Sequence, residues 1–525
     1  MHRLIGLGIV LLAIEAAEAQ LCETGRTTRV SVSSAGVEGN STSREMTFAR
    51  NGCWVAFSSD ADNLVPNDTN GNSDVFLHDR STGQTRRLSV LPSGEQANGA
   101  SGWPRFTSDG RFLAFVSTAS NLVPGDTNGQ MDVFVLDLGT GAISRVSVSS
   151  DGREGDGTST YASISENGRW IAFWSRATNL VPLDTNGRPD IFVHDRMTGT
   201  TERVSIAWNG AQQVGEAEHP AISGDGRYVV FDSGSDNLVP NDTNNHWDAF
   251  ERDRQAGTTT LVSLGWGGVQ GNSQSWLATI SKDGRMTAFT SVATNLVPGD
   301  TNDREDIFLR DRLTGSLLRI TVTATERQTQ GGRGPVLSAD GTVVAFESDA
   351  PDIVSGDSNG VRDIFVYDLR RGPERASVSS TGEQGNARSG TCGPCIGGER
   401  ISISADGRLV GFSSTASNLV ANDLNSMEDI FVHDPEAASL STPSMPRPGT
   451  TLDLHLYVLT QGWWPALRAR SSPGIRPGDR MGRSGDPLEP RSPPVLFPAL
   501  DRPVPGLPGE PGSPGSGPGA PGSSR

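Results

Sequence analysis

The chain has 525 residues, with 44 basic against 61 acidic side chains and a formal net charge of −17. That acidity argues against a nucleic acid or an anionic membrane surface as partner, because both repel a negatively charged protein. It fits a soluble exported protein and is compatible with divalent cations.

Met1–Ala19 reads as a secretory signal peptide: Arg3, the apolar run Leu4 to Ile14, then Ala17-Glu18-Ala19 as a small-x-small cleavage site. The run is shorter than the ~20 residues that a membrane span needs. The expected address is therefore periplasmic or extracellular, with no membrane insertion, and the protein is expected to be a monomer.

From residue 26 one phrase returns seven times, with its first Asp at Asp68, Asp126, Asp184, Asp242, Asp300, Asp357 and Asp423, in steps of 58, 58, 58, 58, 57 and 66 residues. A fixed period of this length means one supersecondary unit copied in tandem, since a single copy cannot bury its own apolar face. In the third copy, Ala162 to Ser165 alternates apolar and polar residues. Asn167-Gly168 then leads into Trp170 to Trp174, Asp190 to Asp195 forms a third run, and Thr201 to Ile206 a fourth. The other copies carry Asn51-Gly52 or an Asp-Gly pair at the same place (Asp109, Asp225, Asp283, Asp340, Asp406), the strongest short signal for a hairpin. Each copy is thus four antiparallel strands, a to d, and such sheets repeated at a fixed period read as propeller blades.

Of the 18 phenylalanines, 14 occupy two repeat positions. On strand b they are Phe57, Phe115, Phe173, Phe231, Phe289, Phe346 and Phe412; on strand c, Phe76, Phe134, Phe192, Phe250, Phe308, Phe365 and Phe431. Rings of identical aromatics suit the packing of one blade on the next. The chain begins its repeats with a strand d, Arg26 to Val32, and ends them with a strand c, Asp429 to Asp434. The expected fold is therefore all-β: a closed seven-bladed β-propeller of four-stranded antiparallel blades over residues 26–434, with the N-terminal strand completing the last blade by pairing Arg29 to Val32 with Ile430 to His433. Closure removes the exposed edges of a linear array.

The strings Ser223 to Phe231 with Asp248 to Asp253, and Ser404 to Phe412 with Asp429 to Asp434, resemble the WD-like repeat of TolB-type β-propellers. The resemblance implies a propeller that binds partner proteins or peptides on one face, or serves as the non-catalytic domain of a peptidase. It is specific for fold and weak for function.

Two-residue a-to-b turns and short c-to-d turns trim one face, while the long b-to-c and d-to-a loops crowd the other. Binding is expected on the long-loop face. Its most chemical string is Asp-Thr-Asn-Gly with a later Asp. Alternating oxygens around a tight turn suit Ca²⁺, which makes Asp68, Asn70 and Asp74; Asp126, Asn128 and Asp132; Asp184, Asn186 and Asp190; and Asp357, Asn359 and Asp363 candidate ligands. Asx-turn chemistry explains the same letters without metal. Trp208 and Trp266, at one d-to-a position of consecutive blades, and Trp247 between them, form a candidate platform for a sugar or peptide.

Cys392-Gly393-Pro394-Cys395 sits in an inserted d-to-a loop, and with Cys22 and Cys53 supplies the disulfide candidates expected of an exported protein. Residues 435–525, rich in Pro, Gly, Ser and Arg, are expected to be a disordered tail. The string Gly356-Asp357-Ser358-Asn359-Gly360 matches Gly-x-Ser-x-Gly in letters, but it is the sixth copy of the Asp-x-Asn-Gly loop and not the strand-to-helix elbow of a hydrolase. The balance favours a non-catalytic scaffold that binds a protein, peptide or glycan, the alternative being a hydrolase or lyase of glycosidase or lactonase type with a central-channel site.

Overall fold

The computed structural model describes residues 26–390 and 400–437. The expected signal peptide, Met1–Ala19, together with Cys22, Cys392, Cys395 and residues 438–525, lies outside the described residues. Seven four-stranded antiparallel sheets form a ring. Blade three shows the pattern: a is Ser159–Ile164, b Trp170–Ser175, c Asp190–Asp195 and d Thr200–Arg203. Strand a of each blade touches strand a of the next all the way around, and blade seven's a strand (Ile401–Ile403) meets blade one's (Ser43–Ala49), so the a strands line the axis.

The N-terminal strand closes the ring. Thr27–Arg29 pairs with blade seven, Thr27 opposite His433 and Arg29 opposite Phe431. The pairing begins two residues earlier than the sequence led us to expect. Past Arg29 only the Val30 amide continues the ladder, to the Ile430 carbonyl. The Ser31 hydroxyl turns to Asp429 (2.5 Å), and Val32 bridges Glu38 in a small hairpin.

Each phenylalanine pair is a cross-strand pair within one blade, with centroids 5.7–6.0 Å apart and planes 26–28° apart. Each pair is then buried against the preceding blade: Phe115 and Phe134 against Ala56, Val75 and Leu77, and, at the closing interface, Phe57 and Phe76 against Val30, Ile430 and Val432. Face-on burial of two rings per blade is a large apolar payload.

The repeated polar residues are consumed by the same architecture. The arginine after the Asp-Gly turn grips the Asp ending strand c, as Arg169 does Asp195 (2.6 Å) and Arg285 does Asp311 (2.7 Å). The arginine after that Asp reaches the glycine carbonyl of the turn and stacks on a ring of the preceding blade: Arg254 lies 4.0 Å from the Trp170 ring and Arg312 3.8 Å from Tyr228. In three blades a histidine on strand c meets a threonine on strand d, and the threonine hydroxyl donates to a carbonyl of the neighbouring hairpin. These sets are His78, Thr85 and Val32; His194, Thr201 and Val148; and His433, Thr27 and Val378. The threonine's one hydrogen is committed, so each imidazole donates through Nδ1–H.

Candidate functional site at the mouth of the channel

The Asp-x-Asn-Gly loops converge their carboxylates, and what lies between them is an arginine from strand d. Arg87 contacts Asp68 (2.8 Å) and Asp74 (3.0 Å); Arg145 contacts Asp126 (3.3 Å) and Asp132 (3.4 Å); Arg203 contacts Asp184 (3.2 Å) and Asp190 (3.1 Å); Arg375 contacts Asp357 (3.5 Å) and Asp363 (3.8 Å). Arg29 and Arg319 stand in the same relation to Asp423 and Asp300. The asparagine is a clip: Asn70 donates to Asp74 (2.9 Å) and to the Ala97 carbonyl (3.1 Å), while its own oxygen caps the Asn72 amide (2.9 Å). A strand-d hydroxyl completes the knot, as from Ser89 to Asp74 (2.5 Å). Burial pushes the first carboxyl of each loop up, that of Asp184 to about 6.

Calcium at these four loops would have to compete with a guanidinium already in contact with both carboxylates. Excess Ca²⁺ is therefore expected to leave the melting midpoint where a chelator leaves it. A rise that Asp68→Ala and Asp184→Ala abolish would restore calcium to these loops. Blade four lacks the arginine: Leu261 pairs with Phe250 as Arg203 pairs with Phe192, and Gln270 spans Asp242 (2.6 Å) and Asp248 (3.0 Å) instead. Leu261→Arg should restore the ion pair and raise stability by about 1 kcal/mol, hydrogen bonds to charged groups offsetting the lost leucine packing. Urea unfolding of the two proteins measures it, and a lower midpoint for the variant would refute the guanidinium's stabilising role.

The three candidate tryptophans are not gathered into one surface. Trp208 and Trp266 are 57% and 69% exposed. Their repeat equivalents Ser34, Ser150 and Ser380 bond the outermost strand of the next blade through Thr85, Thr201 and Thr27, which puts this column on the outer wall. Trp247 lies further in, packed over Gly234, where an added Cβ would come within 3.2 Å of its Nε1. Cys53 is disulfide-bonded.

A different set of residues stands out once the seven blades are superposed by their repeat. Near the start of strand a, four residues before the Ser of the Ser-x-Asp-Gly turn or its equivalent, the chain carries Glu45, Trp103, Tyr161, His219, Leu277, Gly334 and Arg400. All but Arg400 adopt positive φ, between 49° and 65°, at the point where the pairing with strand b slips, as between Thr160 and Ser163. A bulge re-aims a side chain, and a left-handed conformation costs a bulky residue about 1–3 kcal/mol, a strain that concentrates at functional sites. Here five non-glycine residues bear it. The blade-to-blade contacts are made by the bulge amides: Trp103 N donates to Glu45 (3.1 Å), Leu277 N to Asp232 (3.2 Å) and Gly334 N to the Thr290 hydroxyl (3.2 Å).

The position preceding strand c is nearly as diverse: Ser73, Met131, Pro189, Trp247, Glu305, Arg362 and Glu428. Its backbone is uniform all the same, each carbonyl receiving an amide from the next blade, as Ser73 does from Ser101. Both columns lie at the end of the channel bordered by the b-to-c and d-to-a loops, because strand a begins there and strand b ends there. Below them a cavity of about 260 Å³ runs along the axis, with Tyr161, His219 and Leu277 in its wall.

The mouth is lopsided. On blades two to four the Tyr161 ring sits 6.4 Å from Trp103, 6.2 Å from Trp174 and 5.0 Å from His219. On blades five to seven charged pairs dominate: Arg333 with Glu347 (2.9 Å) and Glu305 (3.8 Å), Arg362 with Asp349 (2.7 Å), and Arg400 with Glu428. Among the described residues one group of three metal-ligating side chains converges, Glu218, His219 and Asp232, with ligand atoms all within 4.8 Å of one another. His219 Nδ1 is 2.9 Å from Asp232 Oδ2 and 3.9 Å from Glu218 Oε2. Burial pushes the Glu218 carboxyl up, against the pull of His219 and Arg176. None of these residues belongs to a repeated motif. His219 stands in a repeat column in which no residue recurs, and Glu218 and Asp232 are its neighbours on strands a and b.

No protein-family model matches the sequence, and no curated protein matches it. Solved structures of similar shape exist. An oligogalacturonate lyase from Vibrio parahaemolyticus is 14% identical, over 78% of this chain and 93% of that one, with a TM-score of 0.48. TolB from Acinetobacter baumannii is 16% identical, over 63% of this chain and 62% of its own, with a TM-score of 0.35. TolB proteins stand among the structural neighbours of this propeller. The propeller domain of the Trilobed protease from Pyrococcus furiosus is 10% identical, over 75% and 96% of the two chains, with a TM-score of 0.44. Similarity at this level concerns the fold alone. Among the described residues, no helix is long and apolar enough to cross a membrane.

Proposed function

We propose that this protein is an exported binding propeller that holds an extended peptide or glycan segment of a partner at the long-loop mouth of its central channel. One observation carries the reading. Blades that repeat their core and their polar clips nearly residue for residue carry seven different residues at one strand-a position, six of them with the left-handed backbone. Structural selection alone would keep one residue, preferably glycine, at a shared positive-φ site. Aromatic rings on one side and guanidinium–carboxylate pairs on the other suit a ligand with an apolar face and polar edges. Export rests on Met1–Ala19.

Peptide and glycan arrays probed with the purified protein test this. Binding should be lost in Trp103→Ala and Tyr161→Ala and kept in Trp208→Ala and Trp266→Ala. The opposite pattern would move the site to the outer wall.

A second reading, a hydrolase or lyase acting in the channel, is favoured by the His219–Asp232 pair, because an imidazole held by a buried carboxylate is a ready general base. Turnover of an array-identified ligand by wild type but not by His219→Gln would decide for it.

A further inference from the structure

We infer that Glu218, His219 and Asp232 form a binding site for one divalent transition-metal ion of the Mn²⁺ or Zn²⁺ class at the channel mouth. The inference stands on the geometry of these three side chains and does not require the ligand reading above. The three come from adjoining strands of blade four: Glu218 and His219 from strand a, and Asp232 from strand b, where it pairs with Glu218. The bulge brings them together. In a regular strand the neighbours Glu218 and His219 would point to opposite faces; the positive φ of His219 (50°) and the register slip after Glu218 turn both towards the Asp232 carboxylate.

The 2.9 Å between His219 Nδ1 and Asp232 Oδ2 matches an octahedral edge for metal–ligand bonds of ~2.0–2.2 Å, and Glu218 Oε2, 3.9 Å from the same nitrogen, joins them by a small rotation of its side chain. Asp232 is fully buried, and its second oxygen is fixed by the Leu277 amide at 3.2 Å, so one oxygen faces His219 in a set orientation, as outer-shell bonds do for metal-binding carboxylates. Glu218 is the most exposed of the three, and His219 borders the axial cavity, which leaves coordination positions open to solvent or ligand. Two carboxylates with a neutral imidazole carry two negative charges, which a divalent ion neutralises. One imidazole among the donors selects a borderline metal over Ca²⁺ or Mg²⁺, whose ligands are oxygens. No other blade combines these types: the positions of Glu218, His219 and Asp232 are Arg44, Glu45 and Ser58 in blade one and Thr160, Tyr161 and Trp174 in blade three.

The test is calorimetric titration of the chelator-treated full chain with MnCl₂, ZnCl₂ and CaCl₂, with the visible absorption of bound Co²⁺ as a second readout. Mn²⁺ or Zn²⁺ should bind at one per chain, and Co²⁺ should give a d–d spectrum. His219→Gln and Asp232→Asn should each weaken binding by more than ~100-fold, beyond what loss of an outer-shell partner causes. Thermal unfolding of both variants checks that they fold; should either fail, Glu218→Gln, at the most exposed ligand, replaces it. Stoichiometric binding that survives the substitutions, no binding by wild type, or Ca²⁺ binding as tight as Mn²⁺ would each overturn the assignment. A metal-free protein that still loses its array ligand in Tyr161→Ala would sink this inference and leave the binding propeller intact.

Discussion

Deleting Arg26 to Ser34 should open the ring. The segment supplies strand d of blade seven, paired through Thr27, Thr28 and Arg29, and it contributes Val30 to the core between blades seven and one. It also carries Ser31 and Arg29 to Asp429, and Thr27 to His433. Removing it exposes the edge of Asp429–His433, leaves a buried carboxylate without its hydroxyl and its guanidinium, and uncovers apolar surface on Phe57 and Phe76. Each loss is worth about 1–3 kcal/mol, and together they approach the ~5–15 kcal/mol that holds a typical fold. The expected result is a melting midpoint lower by tens of degrees, with association through the bared strand visible by light scattering. A truncated protein that melts like the full chain would mean that the six complete blades are stable unclosed.

Acid should weaken the fold through three histidines. Burial, the largest cause, holds His78, His194 and His433 down to about 4, against 6.5 in an unfolded chain. Between those values the unfolded state binds more protons, so stability is lost as pH falls from about 6.5 towards 4. A lowering of this size corresponds to at most about 3 kcal/mol per imidazole. Buried carboxyls act in the opposite sense, among them Asp184, raised to about 6, and Glu251, raised to about 7, so that their protonation favours the folded state over part of the same window. Replacing the three histidines by Asn keeps a donor to each threonine and removes the titration. Urea midpoints between pH 7 and pH 4 should fall less in the triple variant than in wild type. Equal slopes would acquit the imidazoles.

The fold was legible because periodicity is a property of the whole chain and survives errors at any one residue. Strand number, turn positions, the phenylalanine pairs and ring closure all follow from copying one unit. The closing register was not legible, since it depends on Ser31 preferring the Asp429 carboxylate to another rung of the ladder. The loop chemistry was half legible: Asp68 and Asp74 do converge, but the cation they meet comes from Arg87, thirteen residues beyond Asp74, on strand d of the same blade. The channel mouth escaped notice for a deeper reason. Glu45, Trp103, Tyr161 and His219 match no motif, and a repeat trains the eye on what recurs. Their common trait is a backbone slip, and its letters become visible only when the seven copies are laid over one another.

The closing strand also imposes an order in time. Thr27 leaves the ribosome first and binds His433, 406 residues later. At ~5–20 residues per second, synthesis alone separates the two by roughly 20–80 s. Throughout that interval blade one has a bare flank, and the strand that must end in blade seven is free to choose another edge. Whatever surrounds this chain as it folds has to tolerate, or shield, a molecule whose earliest strand is the last to find its place.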